Sequence, residues 1–261
     1  MRAILMSRHD AHGNNSAIDM DILYVVGTGS EWNNNELRYS LRSIAKNGKN
    51  IGRVFLVGYK PEWVSDAVIH IPCDDPYGQP HKNILHKVLT AAYNSKIGSH
   101  FLISSDDHYY VKPTDFDKLP VYFREKEIPE KVRDRWSIYC NSLHDTRNIL
   151  LDAGLTIYQT NPHCNTHFDV GVYEKNKAIF DLCMWIPNGG ELNCVMGNLL
   201  IKEGLKAAHF DDAKLSSKMT LAEVEKIAKK RECLSSVPNI ANSALAIFLE
   251  KEFNKKCKYE K

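Results

Sequence analysis

The stretch Phe101-Leu-Ile-Ser-Ser-Asp-Asp-His-Tyr-Tyr110 places two adjacent carboxylates and an imidazole at the end of a short apolar run. The run predicts a buried strand that ends at these polar side chains. Carboxylate oxygens suit hard divalent ions such as Mg²⁺ and Mn²⁺, and an imidazole shifts the preference toward Mn²⁺. Because such ions share coordination positions with substrate phosphates, the first ligand to consider is a nucleotide diphosphate. The alternative is a simple strand-to-loop turn, where aspartate is common because its side chain bonds to its own backbone.

Strands and helices alternate on the amino-terminal side of this stretch. Apolar, β-branched runs predict strands over residues 22–26, 53–57 and 68–71, and leucine and isoleucine at helical spacing predict helices over 36–46 and 81–93. This alternation predicts an α/β fold with a mainly parallel, Rossmann-like sheet, whose ligands gather at the carboxyl ends of the strands. Asp106 and Asp107 are expected at such an end.

The pattern after residue 113 is less regular. We expect helices over residues 141–155, 175–185 and 193–203, and strands over 170–173 and 206–210. Two amphipathic helices are expected over 221–230 and 240–253, followed by a lysine-rich end. The chain is therefore expected to form one main domain over residues 1–215, with a helical appendage over 216–261 packed on it.

Composition excludes several classes of protein. Lys plus Arg is 34 and Asp plus Glu is 32, a net charge of +2, so no overall field favours nucleic acid or an anionic membrane. The seven cysteines show no CxxC spacing, and an odd number does not suggest a disulfide framework, so a reducing cytosol is expected. The opening Met1-Arg-Ala-Ile-Leu-Met6 is too short for a signal peptide, and no run approaches a membrane span. A soluble cytoplasmic protein is expected.

The predicted metal site centres on Asp107. Neighbours on an extended chain point to opposite sides, so only one or two residues of the group are expected to ligate directly. Asp107 is the expected metal carboxylate, and Asp106 is its partner, directed at a ribose hydroxyl or a coordinated water. His108 is either a further ligand or a hydrogen-bonded ring in the turn. His209, with the acids that follow it, is a late-chain candidate to complete the coordination shell.

A second cluster is Asn161-Pro-His-Cys-Asn-Thr-His-Phe-Asp169. The spacing of His163 and His167 is not a zinc signature, because no second pair of ligands follows at a finger-like distance. A titratable imidazole can move a proton to or from an attacking hydroxyl, and Asp169 can act as base or orienting carboxylate. The alternative is a polar loop with satisfied histidines.

Cations near helix starts are candidates for binding a diphosphate, because helix N-termini also favour phosphate. Arg38 and Lys82 lie closest to their helix starts, and Asn83 is grouped with Lys82 as a substrate-binding residue. Lys87 is more typical of a solvated surface charge. Asn198, in a later predicted helix, is expected to enter the same cleft.

Four segments resemble a known family: Asp21-Ile-Leu-Tyr24, Asn35-Glu-Leu-Arg-Tyr-Ser-Leu-Arg-Ser-Ile44, Val54-Phe-Leu-Val-Gly-Tyr-Lys-Pro-Glu-Trp63 and Phe101-Leu-Ile-Ser-Ser-Asp-Asp-His108. They resemble the Stealth-type sugar-phosphate transferases and related bacterial and phage glycosyltransferase-like proteins over residues 21–112. The resemblance implies a GT-A-type nucleotide-sugar fold with Asp107 in the metal position and Arg38 near the cleft. It further implies that His167 matches a histidine of the family's second block.

The chain departs from the Stealth pattern at two places. Val26-Gly-Thr-Gly-Ser30 stands where that family has Trp-Val-Asp-Gly-Ser, and His81-Lys-Asn-Ile84 replaces its Phe-Asn-Ser segment. The missing aspartate favours plain glycosyl transfer over sugar-phosphate transfer.

The resemblance therefore implies a glycosyltransferase that depends on Mn²⁺ or Mg²⁺ and uses a nucleotide sugar, foremost a UDP-sugar. Asp106, His167 and Asp169 are its expected catalytic residues, and Arg38, Lys82, Asn83, His163 and Asn198 its expected substrate-binding residues. The acceptor is a glycan or modified DNA, in the cytoplasm of a bacterium or of a phage-infected cell. Three alternatives stay open: a phage-type DNA glycosyltransferase, a sugar-phosphate transferase, and a non-catalytic nucleotide-sugar binder.

Overall fold

The structure is a computed structural model of the 261-residue chain that describes residues 19–94, 96–131, 134 and 136–261. The expectation about a leader at residues 1–6 lies outside the described residues. The strands are β1 (Met20–Val26), β2 (Gly48–Lys49), β3 (Ile51–Gly58), β4 (Val68–Ile71), β5 (His100–Ser104), β6 (His108–Tyr110), β7 (Thr114–Asp115), β8 (Val121–Phe123), β9 (Thr166–Asp169), β10 (Ala207–His209), β11 (Lys214–Leu215) and β12 (Cys233–Ser236). The helices are α1 (Asn35–Asn47), α2 (Pro80–Ala92), α3 (Ile138–Asp152), α4 (Val170–Lys175), α5 (Lys177–Trp185), α6 (Leu192–Lys202), α7 (Leu221–Ala228) and α8 (Ala244–Glu252), with a 3₁₀ turn at Phe116–Lys118. None of these helices is long and apolar enough to cross a bilayer.

The central sheet has the strand order β4-β3-β1-β5-β9 within the described residues. The first four of these strands pair in parallel, and β9 adds an antiparallel edge to β5. The prediction of a mixed α/β fold with a mainly parallel sheet is confirmed. Sequence periodicity does not predict the antiparallel edge, because periodicity is a local pattern and β9 pairs with a strand more than sixty residues away in the chain.

Helices cover both faces of this sheet, which explains why its strands are almost continuously apolar. Successive residues of β1 point to opposite sides. Leu23 packs in a core shared with α2, α5 and α6, whereas Ile22 packs in a second core shared with α1. Three layers result, with the sheet in the middle.

The chain reverses its direction of travel across the sheet at β1. It runs from β1 outward through β3 to β4, and then returns to the opposite side of β1 to form β5. A crevice lies between the carboxyl ends of β1 and β5, at the point where the strand order reverses. The predicted place of Asp106 and Asp107, directly after a strand of the parallel sheet, is confirmed.

One predicted strand is wrong. Residues 170–173 begin helix α4, and the strand is the preceding Thr166–Asp169. The Asp169 side chain accepts a hydrogen bond of 2.9 Å from the backbone N–H of Val172 and so starts the helix. A capping aspartate outweighs the β propensity of the valines that follow it.

The carboxyl-terminal segment is more than the helical appendage predicted for residues 216–261. It contains α7 and α8, but between them β12 pairs in antiparallel fashion with β6 and in parallel with β11. Helix α8 starts at Ala244 because Ser243 caps it, accepting from the backbone N–H of Ala246 at 3.2 Å. The predicted boundary at residue 215 therefore separates strands that hydrogen-bond to each other.

Residues 253–261, here called the C-terminal strap, are fastened to α1. Both carboxylate oxygens of Glu260 accept from the Arg42 guanidinium, at 2.7 and 2.8 Å. A third Arg42 nitrogen donates to the carbonyl oxygen of Phe253 at 2.9 Å. Because the Glu260 side chain is only 4% exposed, this pair is largely shielded from water.

We predict that Glu260→Gln lowers the free energy of unfolding by about 3 kcal/mol, because it leaves the Arg42 charge without its buried partner. Glu252→Gln is the matched control, since the Lys46–Glu252 pair joins the same helix α1 to the end of α8, and its side chains are 49% and 38% exposed. The control is expected to cost less than about 1 kcal/mol. Urea unfolding measures both, and equal losses would contradict a buried clamp.

Candidate active site

The crevice between β1 and β5 contains a cavity of about 340 Å³, here called the acidic cavity. Its walls come from the loop after β1, the turn after β5, the first turn of α1, and two segments of the carboxyl-terminal part. The lining residues are Gly27, Gly29, Ser30, Glu36, Ser105, Asp106, Asp107, Lys214, Ser236, Val237 and Pro238. Three carboxylates thus meet at the carboxyl edge of the sheet.

Hydroxyl groups orient two of these carboxylates. Ser235 Oγ donates to Asp107 Oδ2 at 2.7 Å, and Ser30 Oγ donates to Glu36 Oε2 at 2.8 Å. Neither Glu36 nor Asp106 forms an ion pair with any cation in the described part of the chain. The cavity therefore holds three carboxylates against one lining cation, Lys214.

Asp106 has a raised pKa in this cavity. Burial is the largest cause, and together with the neighbouring carboxylates Asp107 and Glu36 it raises the pKa of Asp106 to about 7. A divalent cation would supply the missing positive charge, and Asp106 and Asp107 fit it as carboxylate ligands. No three His, Cys, Asp or Glu side chains of the described residues converge closely enough to hold a metal by themselves. A cation here would need further oxygens from water or substrate, as is usual for Mg²⁺.

His108 is a poor metal ligand in this arrangement. Burial lowers its pKa to about 4, so the ring is neutral near pH 7 and carries one proton. The backbone N–H of Ser105 donates to His108 Nδ1 at 3.3 Å, which leaves the proton on Nε2, 3.9 Å from Asp107 Oδ1. Neither ring nitrogen then offers a lone pair to a metal. The geometry favours the alternative stated above, a hydrogen-bonded ring in the turn.

A second cavity, of about 510 Å³, lies on the other side of the loop that leaves β1 and is here called the lysine cavity. It shares Gly27 with the acidic cavity. Its lining residues are Gly27, Thr28, Gly58, Tyr59, Lys60, His70, Pro72, Cys73, Asp74, Asp75 and Lys87. The two cavities together follow the carboxyl edge from β5 across β1 to β4.

Lys87 places a buried positive charge in the lining of the lysine cavity. The residue is only 3% exposed, and its ammonium donates to the carbonyl oxygen of Val26 at 3.1 Å and to Asp75 Oδ1 at 2.6 Å. An ammonium has three donors, so these two bonds leave one for a ligand in the cavity. Gly58 makes room for this side chain: a Cβ there would lie 2.2 Å from the Val26 oxygen and 3.1 Å from Lys87 Nζ. Its φ of +102° also favours glycine.

A histidine and an aspartate form a dyad close to the acidic cavity. His163 Nδ1 lies 2.6 Å from Asp212 Oδ2, and the His163 backbone N–H donates to Asp212 Oδ1 at 2.9 Å. Arg124 Nε lies 3.1 Å from the same carboxylate. Burial acts to raise the pKa of Asp212, but the hydrogen bonds from His163 and the charge of Arg124 outweigh it, so the pKa is lowered. Asp212 therefore stays ionised and fixes the orientation of the imidazole.

Strand β12 connects this dyad to the acidic cavity. Cys233 Sγ donates to the His163 carbonyl oxygen at 3.8 Å, and Ser235 of the same strand binds Asp107. Cys233 and Ser235 are two residues apart on β12, a distance of about 7 Å. With Nδ1 directed at Asp212, His163 Nε2 has no hydrogen-bond partner among the described residues. The dyad thus has a free ring nitrogen and lies next to the strand that orients Asp107.

His167 and Asp169 lie elsewhere, contrary to the expectation that they share the cleft. His100, the first residue of β5, contacts both: its Nε2 lies 3.0 Å from His167 Nδ1, and its Nδ1 lies 3.2 Å from Asp169 Oδ2. His167 Nε2 also lies 2.9 Å from the carbonyl oxygen of Leu119. The length of β5, about 13 Å, separates His100 from the carboxyl edge where Asp106 lies. This cluster ties β5 to β9 at the opposite end of the sheet.

Two predicted substrate-binding residues have structural roles instead. Arg38 lies 3.4 Å from Glu260 and over the ring of Trp63, 4.6 Å from its centroid, so it belongs to the clamp of the C-terminal strap. Asn198 is 0% exposed. Its amide bonds to the backbone of Tyr158 and Cys194 and to the Thr156 hydroxyl, so a substrate cannot reach it.

The remaining predicted residues line neither cavity. The Asn83 side chain bonds to both backbone groups of Tyr77, at 2.9 and 2.7 Å, and closes the loop before α2. Lys82 packs beside Gly189. His209, proposed as a metal ligand, is exposed on β10 with its ring 5.8 Å from that of Phe123. Of the predicted residues, only Asp106 and Asp107 line the acidic cavity; His108 follows them in the chain, and His163 lies next to strand β12.

Sequence reasoning missed Glu36, Asp75 and Lys214 as site residues, and it treated Lys87 as a surface charge. It grouped Asp212 with His209 as a candidate for the coordination shell, whereas the structure pairs Asp212 with His163. A glutamate in the first turn of a helix is ordinarily explained by the helix dipole, which hides its role as a cavity wall. The one usable signal for Lys87 is its position four residues before the buried Ala91, on the same helix face.

No protein-family model matches this chain, and no curated protein is similar to it in sequence. The chain is similar in structure to one described as the "crystal structure of a glycosyltransferase involved in the glycosylation of the major capsid of PBCV-1". That similarity has a TM-score of 0.43 and 10% sequence identity, and it covers 90% of this chain and 99% of the other.

We predict that Asp106→Asn gains stability relative to the wild type as the pH rises from about 4 to 7. A carboxyl whose pKa is raised from 3.8 to about 7 by folding binds a proton more tightly in the folded state, so the wild type loses stability across this interval. Urea unfolding at several pH values measures the difference. The exposed Asp152 on α3 provides the control Asp152→Asn, which should show no such trend; a flat profile for Asp106→Asn would contradict the prediction.

Proposed function

We propose that this protein transfers a glycosyl group from a nucleotide diphosphate sugar to an acceptor hydroxyl. One observation carries the proposal: a cavity built around a buried lysine and a cavity lined by three carboxylates meet at Gly27, in the crevice where the strand order reverses. Open α/β sheets bind their ligands in such crevices. A diphosphate needs cations, and a divalent cation that accompanies it needs carboxylates, so the two cavities suit the two components of one ligand.

The lysine cavity suits the nucleotide end of the donor. Its volume of about 510 Å³ lies within the range of small-molecule sites. Lys87 offers one donor to a phosphate oxygen, held in place by Val26 and Asp75. Tyr59 is 41% exposed on the cavity wall and offers a ring face to a nucleobase. These features favour a nucleoside diphosphate over a simple sugar phosphate.

The acidic cavity suits the diphosphate end and the sugar. Asp106 and Asp107 would hold Mg²⁺ or Mn²⁺, which when bound offsets negative charge on the departing nucleotide diphosphate. Lys214, which reaches the cavity from β11, adds a second positive charge there. Glu36 faces the same space with its carboxylate fixed by Ser30, in a position to accept hydrogen bonds from sugar hydroxyls.

The His163–Asp212 dyad suits the role of general base, which was expected of His167 or Asp169. With its Nδ1 proton donated to Asp212, a neutral His163 presents the Nε2 lone pair. The acceptor oxygen forms a bond to the anomeric carbon, the bond from that carbon to the phosphate oxygen breaks with its electron pair, and Nε2 takes the hydroxyl proton. The products are a glycoside, a nucleoside diphosphate and a proton that the imidazolium releases to water. Asp212 stabilises the imidazolium as it forms.

We predict that nucleoside diphosphates with Mn²⁺ raise the thermal midpoint of the wild type, because a ligand that binds only the folded state stabilises it by mass action. Lys87→Met and Asp107→Asn should each weaken this binding by about tenfold or more, equivalent to ~1.4 kcal/mol. Each midpoint shift is measured against the same variant without ligand, since Lys87→Met also leaves Asp75 without its partner.

Lys82→Met is the matched control for this experiment. It removes a lysine from the same helix but lines neither cavity, so its shift should equal that of the wild type. Absence of a shift with every nucleoside diphosphate would overturn the proposed function. A shift that Lys82→Met removes and Lys87→Met keeps would move the donor site away from the lysine cavity.

We predict that His163→Gln and Asp212→Asn lower kcat for transfer by about 10²-fold or more, the usual contribution of a general base. Binding of the nucleoside diphosphate should change little in either variant, because the dyad lies outside the lysine cavity. Product analysis by mass spectrometry with a panel of nucleotide sugars and acceptors gives the rates, and a phosphodiester product would identify sugar-phosphate transfer instead. His209→Gln, which changes an exposed histidine, is the control expected to keep full activity; an equal loss there would contradict the assignment.

A further inference from the structure

A third cavity lies outside the proposed active site, between the second half of α1 and the C-terminal strap. It has a volume of about 610 Å³ and is here called the C-terminal cavity. Its lining residues are Arg42, Ala45, Lys46, Glu252, Phe253, Asn254, Lys255, Lys256, Cys257 and Lys258. Nine helical residues, about 14 Å along α1, separate Glu36 of the acidic cavity from Ala45 of this one. It is therefore a separate place on the molecule.

The charge of the C-terminal cavity is strongly one-sided. Two of its five cations, Arg42 and Lys46, have acidic partners in Glu260 and Glu252. The other three, Lys255, Lys256 and Lys258, have no acidic partner within the described ranges of the chain. Three lysines without an acidic partner thus line one concave space in a protein whose total net charge is +2, and Lys258 Nζ also lies 5.1 Å from the centroid of the Tyr259 ring.

The backbone that carries these lysines is fixed at both ends. Arg42 holds the carbonyl oxygen of Phe253 at the start of the strap. At its end, Ser65 donates from its backbone N–H to Tyr259 at 2.9 Å, and Lys261 donates to Trp63 at 2.9 Å. The Tyr259 residue itself is only 3% exposed. A ligand would therefore meet lysines on an ordered backbone, which reduces the entropy lost on binding.

We infer that the C-terminal cavity binds a chain of phosphates. Ammonium groups on flexible stems act as point charges that suit phosphate oxygens, and three of them close together suit a ligand with several adjacent negative charges. Inorganic polyphosphate and the backbone of a single-stranded nucleic acid share this chemistry. The inference does not depend on the proposed glycosyl transfer.

Two probes test it on the full chain: inorganic tripolyphosphate by isothermal titration calorimetry, and a fluorescein-labelled single-stranded oligodeoxythymidylate by anisotropy. The variant carries Lys255→Gln, Lys256→Gln and Lys258→Gln, which keep most of each side-chain stem. We expect it to bind either ligand about tenfold more weakly or worse than the wild type. For the oligonucleotide, the slope of log affinity against log salt should flatten by about 2, near 0.7 per lost contact.

The control variant carries Lys226→Gln, Lys229→Gln and Lys230→Gln on and just after α7. It has the same net charge as the test variant, but its lysines do not line the cavity. Both variants keep every residue that lines the lysine cavity and the acidic cavity, so binding at the proposed active site is the same in both and does not mimic loss of this site. Binding of tripolyphosphate alone would identify free phosphate chains as the ligand, and binding of both probes would extend it to nucleic acid.

Two results would overturn the inference. One is the absence of binding of both probes by the wild type at low salt. The other is an equal loss of affinity in the test and control variants, which would indicate net charge rather than a site. Circular dichroism and thermal midpoints without ligand establish that both variants fold. A loss of affinity then reflects the binding site and not unfolding.

Discussion

The parallel pairing of β1 with β3 on one side and β5 on the other is the constraint on which the rest of the structure depends. Each hydrogen-bonded partner directs its carboxyl end to the same edge of the sheet. Helix α1, which follows β1, and strand β6, which follows β5, pack against each other on one face of the sheet, where Ser40 Oγ donates to the His108 carbonyl oxygen at 2.6 Å. A crevice at this point is a consequence of the strand order, and the side chains around it decide what it binds.

Electrostatics explains why the crevice is divided in two. A buried ammonium is costly unless it is paired and hydrogen-bonded, and Lys87 meets that requirement with Asp75 and the Val26 carbonyl. It is thereby not available to neutralise the carboxylates on the other side of the loop at Gly27. Asp106, Asp107 and Glu36 are held together by hydroxyl donors and backbone position, against their mutual repulsion. A protein tolerates such repulsion at functional sites, where a ligand later supplies the compensating charge.

The parts of this architecture that local sequence determines were predictable. The parallel strands, the helices between them, and the place of Asp106 and Asp107 after β5 all follow from short apolar runs and helical spacing. The site beyond that pair depends on tertiary contacts. His163 meets Asp212 across 49 residues, and Asp107 meets Ser235 across 128, so no local pattern records either contact. His167 and Asp169 were assigned to the site because they follow His163 closely in sequence, but β9 carries them away to the opposite end of the sheet.

The carboxyl-terminal part contributes residues to the site, so it should not be treated as a unit separate from the main domain. The acids of the crevice come from the first half of the chain, whereas Ser235, Asp212 and Lys214, which orient or complement them, come from the last fifty residues. Strand β12 hydrogen-bonds to β6 directly after Asp107, and Glu260 secures α1, whose first turn carries Glu36. Ser30 of the first half fixes Glu36, but Asp107 is oriented by Ser235 and would be free to rotate without it. Residues 216–261 are therefore part of the site's framework, because they set the geometry of one of its carboxylates and line part of the cavity.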